Sequence, residues 1–540
     1  LAVHRRPAFP RALWALIAVA AVLYFVGNSR TAFFDRDEPR FAEAAREMLV
    51  TRDFVVPHFN GEVRYDKPVL AYYFFAAGMA VFGQNEFGAR FASAVFGVLS
   101  VLVLYRLALR ILGRKRRALL AAAILAAAPV MVAESKLCTV DALLLLLLLL
   151  SFTGLWRIFE GPCPNHWKAL FWASLAFGVL AKGPVALAAV FGAVFFLVAV
   201  SRDRSFLGRM AWPWGIPLFI LILAPWVLAV QERTGGEFLR VAIGRHVIER
   251  ASEPLEGHWG FPGFYLVTIF ATFFPWAFFL PGAVWDAVRG LRDRPKETFL
   301  ISWALGLVVV LELAQTKMVH YILPVIPALA ILSADYLVRC EINRDRRLVW
   351  GAVAATAMAV VLAVAPPLGT FLYGLSVVSQ PLAAAGIVLV AGMIWWLLAL
   401  RRWGPLSIGA GVAAVFAWLL VMAAWAVPSL MNASPSKEAA RLVAIAEKRL
   451  GGAATVGLYG YREPSLVFYL GGAEFPPRPR DLDELYAPST PDIIVLSTRD
   501  IGLLELLQAS EFDPVGSATG FDFSKGQRER LSVWARPLQP

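Results

Sequence analysis

Three cysteines among 540 residues leave little room for sulfur chemistry. Cys138, Cys163 and Cys340 have none of the paired spacings of a zinc site, and the topology argued below puts Cys138 on the opposite side from the other two. A disulfide framework is therefore not expected. Charge is also scarce, with 17% Asp, Glu, Lys and Arg against 59% hydrophobic residues. Such a chain has far more apolar surface than a soluble domain can bury, and too little charge for a disordered segment. There is no phosphate-cradling loop, since Gly451-Gly452 and Gly471-Gly472 read as turn glycines. Nor is there an internal repeat. That absence, with ionisable residues gathered towards span ends, weighs against a transporter, although Glu312 and Asp335 lie within apolar spans.

What the chain does have is long apolar runs. Hydropathy divides it into about thirteen spans of about 17–23 residues, enough to cross a hydrocarbon core. The first lies near 12–28 and the last near 407–427; the third (118–133) and fifth (168–181) are short. The Leu143–Leu150 run reads as a lipid-facing helix. A cleaved signal peptide is not expected, because the first span lacks a small-residue cleavage site.

The formal charge of +12 would suit nucleic acid if the basic residues formed one patch. They do not. Clusters at Arg5/Arg6/Arg11, 114–117, Arg202/Arg204/Arg209, 289–296, Arg344/Arg346/Arg347 and Arg401/Arg402 fill alternate loops. That is the positive-inside pattern, which puts these loops and the N-terminus in the cytoplasm and the tail outside. Asp37-Glu38, Lys67, Glu134–Asp141, Lys182, Arg245–Arg250, His258 and Lys317–Tyr321 then share the outer face. The organisation expected is a polytopic α-helical membrane domain over 1–431 with an external loop 29–87, followed by a small α/β domain over 432–540. The loop should hold two interfacial helices, one around 41–49 and one around 68–82. The tail should hold a helix at 437–450 and strands near 454–459, 493–497 and 531–534, in line with a compact domain.

The outer loops carry an ordered set of motifs: Asp37-Glu38-Pro39-Arg40-Phe41-Ala42-Glu43-Ala44-Ala45-Arg46-Glu47-Met48, then Phe59-Asn60-Gly61, then Tyr65-Asp66-Lys67-Pro68. Beyond them come the acidic loop from Glu134 to Asp141, Ala181-Lys182-Gly183-Pro184, Gly257-His258, and Lys317-Met318-Val319-His320-Tyr321-Ile322-Leu323-Pro324. In order and in face, this set resembles the C-type, polyprenyl-phosphate-sugar-dependent glycosyltransferases, which include protein O-mannosyltransferases and lipid A aminoarabinose transferases. The small outer tail suits the aminoarabinose branch.

The resemblance implies a donor sugar on undecaprenyl phosphate, a lipid A phosphate acceptor, and an active site on the periplasmic side of a bacterial inner membrane. Asp37 takes the acidic catalytic position, with Asp141 and Glu38 beside it as candidates. Lys67, Arg250 and Tyr321 are the donor-phosphate binders, with Lys317 and Arg245 as further candidates, because cations at the leaving phosphate favour the transition state. Tyr65, Asp66, His258 and Lys182 are substrate-binding candidates. Each lone Lys or Arg has a plainer reading as a headgroup-snorkelling residue, and Asp141 as a helix N-cap. No cofactor is required; a divalent cation held by His58, Asp66 and His258 is an alternative. The expected partners are the lipid-linked donor, lipid A and membrane lipids, with no nucleic acid and a monomeric state. Sugar transfer to protein or another polymer is the alternative enzyme reading, and a lipid-linked sugar transporter the non-enzyme one.

Overall fold

A computed structural model describes residues 10–537 apart from 35, 245–259, 292, 402–406 and 453. The chain folds as two compact units. The first comprises Leu1–Asn28, Tyr65–Ala71 and Arg90–Ala424, and the second Ser29–Arg64, Tyr72–Ala89 and Trp425–Pro540. Most of the external loop therefore groups with the tail, whereas a boundary at 431 assigns it to the membrane domain.

The first unit is helical. Among the described residues, seven helices are long and apolar enough to cross a membrane: Glu86–Leu112, Asp141–Glu160, Trp212–Arg233, Val319–Ile342, Arg347–Leu372, Val378–Leu400 and Ser407–Met431. An eighth forms if Lys115–Ala126 and Pro129–Lys136, bent by 59°, count as one span. Length and composition alone thus reach fewer than the thirteen hydropathy spans, and the shortfall has local causes. The spans expected at 12–28 and 184–200 are the helices Arg11–Phe25 and Val185–Val200, of 15 and 16 residues. At 1.5 Å per residue they fall short of a ~30 Å core. The span expected at 264–285 is broken into Phe264–Thr272, a 3₁₀ turn Trp276–Phe279 and Leu280–Arg289, around a cis Phe274–Pro275 bond.

The leucine-rich helix Asp141–Glu160 is not lipid-facing: Leu143 to Leu149 are all buried. Hydropathy cannot separate a helix solvated by lipid from one solvated by other helices, because both demand apolar side chains. Phe152 stacks on Trp303 at 3.9 Å, and the Trp303 indole N–H donates to the Pro324 carbonyl at 3.0 Å. This ties helix Asp141–Glu160 and helix Pro295–Leu313 to the 3₁₀ segment Val319–Val325. Helices Val185–Val200 and Pro295–Leu313 meet at Gly192 and Gly306, where a Cβ on Gly306 would fall 2.3 Å from the Ala193 backbone nitrogen. Only glycine permits that approach.

Several of the arginines read as topology signals also bind carboxylates. Arg117 pairs with the buried Asp335, which also faces Lys296 at 3.6 Å and Arg339 at 3.3 Å. Arg116 pairs with the buried Glu341, which also accepts from Ser407 Oγ at 2.6 Å. Asp335 is thereby accounted for as the hub of an ion-pair network.

The second unit contains a β-hairpin, β1 (His58–Phe59) with β2 (Glu62–Val63), and a four-stranded sheet. The sheet is built from β3 (Val456–Tyr459), β4 (Ile493–Ser497), β5 (Asp513–Asp522) and β6 (Gln527–Ala535) in the order β3-β4-β6-β5. β3 and β4 are parallel; the other pairings are antiparallel. β4 is buried at every residue because both faces of the sheet are covered, which explains its unbroken apolar run. One face packs Leu458, Val495 and Val533 on Val443 of helix Ser436–Arg449, and the other packs Ile494, Leu496 and Trp534 on Leu503 and Leu507. The strand missing from the sequence reading is β5, a polar edge strand with an irregularity at Pro514/Gly516 and no apolar alternation to announce it. Gly451 and Gly471 do act as turn glycines, both at positive φ beyond helix ends.

Loop residues join this unit through specific bonds. Asn60 Nδ2 donates to the Ala473 carbonyl at 2.8 Å and its Oδ1 accepts from the Ala473 N–H at 2.9 Å. Lys437 Nζ lies 2.6 Å from the buried Glu86. Helices Asp37–Thr51 and Leu70–Phe82 are the two expected in the loop; the latter, at 13 residues, is too short to span.

Candidate active site

Within the first unit, one cluster, buried at Glu134 and Asp141, nearly so at Lys182 and half-buried at Lys67, His320 and Tyr321, gathers residues from four stretches of chain. Helices Asp141–Glu160 and Asn165–Lys182 are consecutive neighbours, so the first residue of one meets the last of the other. An acid at a helix N-terminus and a base at a C-terminus both complement the helix dipole. Lys182 Nζ lies 2.6 Å from Asp141 Oδ1, with both side chains under a tenth exposed. Asp141 is thus the partner of Lys182, and no side-chain cap is made at that helix start. The same ammonium lies 4.7 Å from the ring centroid of Tyr321, a cation–π distance. His320 Nε2 approaches Asp141 Oδ2 at 3.9 Å. The 3₁₀ segment Val319–Val325, fixed by the Trp303–Pro324 bond, presents both His320 and Tyr321. Lys67 interacts electrostatically with Asp141. Glu134 is buried, accepts from Thr139 Oγ1 at 2.6 Å, and feels the charges of His320, Asp141 and Lys182.

Of the sequence-derived candidates, Asp141, Lys67, Lys182 and Tyr321 therefore come together. Glu134 and His320 lie inside quoted motifs without a role, and the cluster gives each a charged neighbourhood. Their signal is present in the sequence only as membership of the same loops; which side chain pairs with which follows from helix packing.

Lys317 is differently placed. It is buried, 2.6 Å from Glu312 Oε2, and donates to the Phe261 carbonyl at 3.1 Å. Glu312 also accepts the N–H groups of Gly263 (3.1 Å) and Tyr265 (3.0 Å), so the pair staples the start of helix Phe264–Thr272. This explains the acidic residue in an apolar span. Tyr65 donates its hydroxyl to Glu237 at 3.2 Å and packs on Phe238. Asp66, between Tyr65 and Lys67, is half-buried. Arg245, Arg250 and His258 lie outside the described residues. Among the described residues, no group of three His, Cys, Asp or Glu side chains stands close enough to hold a metal ion; His58 lies in strand β1.

Asp37 and Glu38 belong to the second unit and differ sharply. Asp37 opens helix Asp37–Thr51 with its side chain 52% exposed and Arg40 Nη1 at 3.8 Å. Glu38 is buried and accepts the Phe34 N–H at 2.9 Å, holding the chain as it enters the helix. The rest of the motif is architectural. Glu43, fully buried, takes a two-pronged bond from Arg46 at 2.7 Å on each oxygen, and Arg46 continues to the Gly471 carbonyl at 2.9 Å. Burial pushes the Glu43 carboxyl above the ordinary carboxylate range, against the pull of Arg46. Glu47 accepts the N–H groups of Asn60 and Gly61. One helix face of the motif thus builds the second unit, leaving Asp37 and Arg40 in the first, more open turn.

The family model for dolichyl-phosphate-mannose-protein mannosyltransferases matches residues 12–234. An undecaprenyl phosphate-α-4-amino-4-deoxy-L-arabinose arabinosyl transferase of Pseudomonas paraeruginosa is 31% identical over 335 residues, 61% of this chain and 60% of the relative. The chain thus spans somewhat under two thirds of that relative's length. This chain resembles the aminoarabinose arabinosyl transferases. The enzyme of that name from Erwinia tasmaniensis is 29% identical over 70% of this chain and 72% of its own length. The crystal structure of ArnT from Cupriavidus metallidurans bound to undecaprenyl phosphate superposes with a TM-score of 0.79 at 23% identity, covering 97% of this chain and 98% of that one. The fold is therefore that of a multi-pass membrane protein of this kind.

Proposed function

We propose that the chain is a membrane glycosyltransferase that moves 4-amino-4-deoxy-L-arabinose from undecaprenyl phosphate to lipid A phosphate groups at the periplasmic face of a bacterial inner membrane. The observation that carries this reading is the Asp141–Lys182–Tyr321 cluster with Lys67 in its field, in a chain resembling transferases named for that reaction. With bent and short helices counted as crossings, thirteen spans place the N-terminus inside and the tail domain outside, as the arginine loops require.

In the reaction, an oxygen of the acceptor phosphate forms a bond to the anomeric carbon of the sugar, and the bond from that carbon to the undecaprenyl phosphate oxygen breaks. Negative charge grows on the departing phosphate, so fixed donors there lower the barrier. Lys67 and the Tyr321 hydroxyl are those donors, with Arg250 and Arg245 as further cations. Lys182 keeps its ammonium beside Tyr321 because Asp141 holds it there, which makes Asp141 and Lys182 positioning residues. A phosphate monoester has lost most of its second proton at neutral pH, so the acceptor requires little general base. Asp37 then orients the acceptor and takes up a residual proton. Tyr65, Asp66 and His258 contact the sugar. Were a divalent cation required, His58, Asp66 and His258 would be the residues to hold it, and it would supply positive charge for the phosphates.

The match to the mannosyltransferase model favours one second reading, transfer to a protein hydroxyl. That acceptor must lose a proton, so Asp37 would be a true base and the rate would fall at low pH.

The deciding experiment is mass spectrometry of lipid A from Gram-negative cells that make the aminoarabinose donor but lack their own transferase, complemented with this chain, Asp37→Asn or Lys67→Ala. Aminoarabinose on lipid A with the wild type and its loss in both variants at equal expression is the expected result. Unmodified lipid A with well-folded wild-type protein in the membrane would overturn the donor and acceptor assignment.

A further inference from the structure

The second unit contains a cavity of about 440 Å³ lined by Arg36, Arg40, Gly460, Arg462, Glu463, Pro464 and Lys525. Its size falls within the roughly 300–1,000 Å³ of small-molecule sites. Four of the seven lining residues are cationic and one is anionic, and every one of them belongs to the second unit. The cations are only partly matched. Arg36 Nε sits 3.5 Å from Glu463 Oε2, Arg40 faces Asp37 at 3.8 Å, and Lys525 faces Asp522 at 3.6 Å, all longer than close ion pairs. Among the described residues no carboxylate pairs with Arg462, whose guanidinium lies 5.1 Å from the centroid of the Phe475 ring.

The acidic residue lining this cavity points to a ligand that is more than an anion. Glu463 is buried, its Oε1 accepts from Ser524 Oγ at 2.7 Å, and its Oε2 has no hydrogen-bond donor among the described residues. Behind the lining, Asp522, which faces Lys525, is buried too. Its Oδ1 accepts from the N–H groups of Ser524 and Lys525, while its Oδ2 is likewise without a donor. A buried carboxylate oxygen left without a donor costs free energy, which a ligand hydroxyl would recover. Planar guanidinium groups favour phosphate through paired charge-assisted bonds. Four cations and the Glu463 carboxylate lining one cavity match a sugar that carries both phosphate and free hydroxyls.

We infer that this cavity binds the phosphorylated sugar headgroup of the acceptor lipid, with Arg36, Arg40, Arg462 and Lys525 on phosphate and Glu463 on a sugar hydroxyl. Naming the ligand as the acceptor rests on the transferase reading; the cavity's preference for a sugar phosphate does not. The contact between Arg40 and Asp37 puts the acceptor phosphate beside the carboxylate proposed to orient it.

The test measures binding to full-length protein in lipid nanodiscs. The probes are a bis-phosphorylated, acylated glucosamine disaccharide, the same lipid without phosphates, and soluble glucosamine 1-phosphate. The proteins are wild type, the double variant Arg462→Gln/Lys525→Gln, and the charge-preserving Arg462→Lys/Lys525→Arg, each with its thermal midpoint recorded. For the phosphorylated lipid we expect affinity to fall at least roughly ten-fold in the glutamine variant at an unchanged midpoint, and to return largely in the charge-preserving one. The dephosphorylated lipid should bind all three weakly and alike. Equal binding of the phosphorylated lipid by wild type and glutamine variant, or no preference of wild type for phosphate, overturns the inference. Soluble glucosamine 1-phosphate binding as tightly as the lipid overturns the lipid assignment. If the expected pattern holds while wild type transfers no sugar, the transferase reading fails and the cavity stands.

Discussion

The buried ion pairs of the first unit and the cavity cations of the second handle charge in opposite ways. In the first, Lys182, Lys317, Arg117 and Arg116 each meet a buried or half-buried carboxylate at close range. In the second, the cations around the cavity stand 3.5 Å or more from theirs or, at Arg462, have none among the described residues. Ionised groups buried among apolar helices carry a large desolvation penalty unless each is paired and hydrogen-bonded. A cavity open to water imposes no such demand, so positive charge there remains available to a ligand. On the reading proposed above, close pairing belongs to architecture and positioning, and the loosely paired charge to the proposed binding surface.

The largest effect should come from breaking a matched pair in the first unit. Lys182→Met leaves Asp141 buried beside Glu134 without its closest cation, with Lys67 and His320 still nearby, and should cost about 3 kcal/mol. Thermal unfolding in detergent checks this, and aminoarabinose transfer should be lost with it. A variant as stable as wild type would break the distinction drawn between the units.

Next is one pair within the second unit that behaves like those of the first. Arg46→Met isolates the fully buried Glu43 and removes the bond to Gly471, so a loss of about 3 kcal/mol is expected in the same assay. Asp37→Asn is the contrasting case. Its half-exposed carboxylate should be replaceable within about 0.5 kcal/mol, while sugar transfer falls. Loss of stability comparable to Arg46→Met would make Asp37 architectural.

How much of this was legible in the sequence differs between fold and site. The apolar spans, the helix 436–449 and strands β3, β4 and β6 announced themselves through periodicity or unbroken apolar runs. β5 did not, because an edge strand facing water has no apolar alternation. For the site, the motifs named Asp37, Lys67, Asp141, Lys182 and Tyr321. They could not say that Lys182 closes on Asp141, that Lys317 is held by Glu312, or that Glu43 and Glu47 serve the fold while Asp37 stays open. Those distinctions depend on which helix face meets which neighbour.

A further, modest effect concerns Asp345. It caps helix Arg346–Leu372 by accepting the Arg347 N–H at 2.9 Å, and its Oδ2 lies 2.6 Å from the Arg347 guanidinium. The Arg347 side chain, then its N–H, hold this carboxyl below the ordinary range. A depressed carboxylate stabilises the fold above its unfolded value of about 3.9 and loses that contribution as pH falls through the folded value. Asp345→Ala should cost about 1 kcal/mol at neutral pH, with the gap to wild type closing in acid. A gap independent of pH would assign the effect to something other than the carboxylate.

By itself the sequence determined that this chain is built of apolar helices, where its arginine loops fall, and which short motifs are the candidates for chemistry. These are properties of composition and local period, and they need no partner. The tertiary structure alone decided that the leucine-rich helix is buried, that most of the external loop is built into the same unit as the tail sheet, and which charges are paired. Those follow from packing between segments distant in the chain, where a carboxylate is matched or left open according to the neighbour that the fold brings to it.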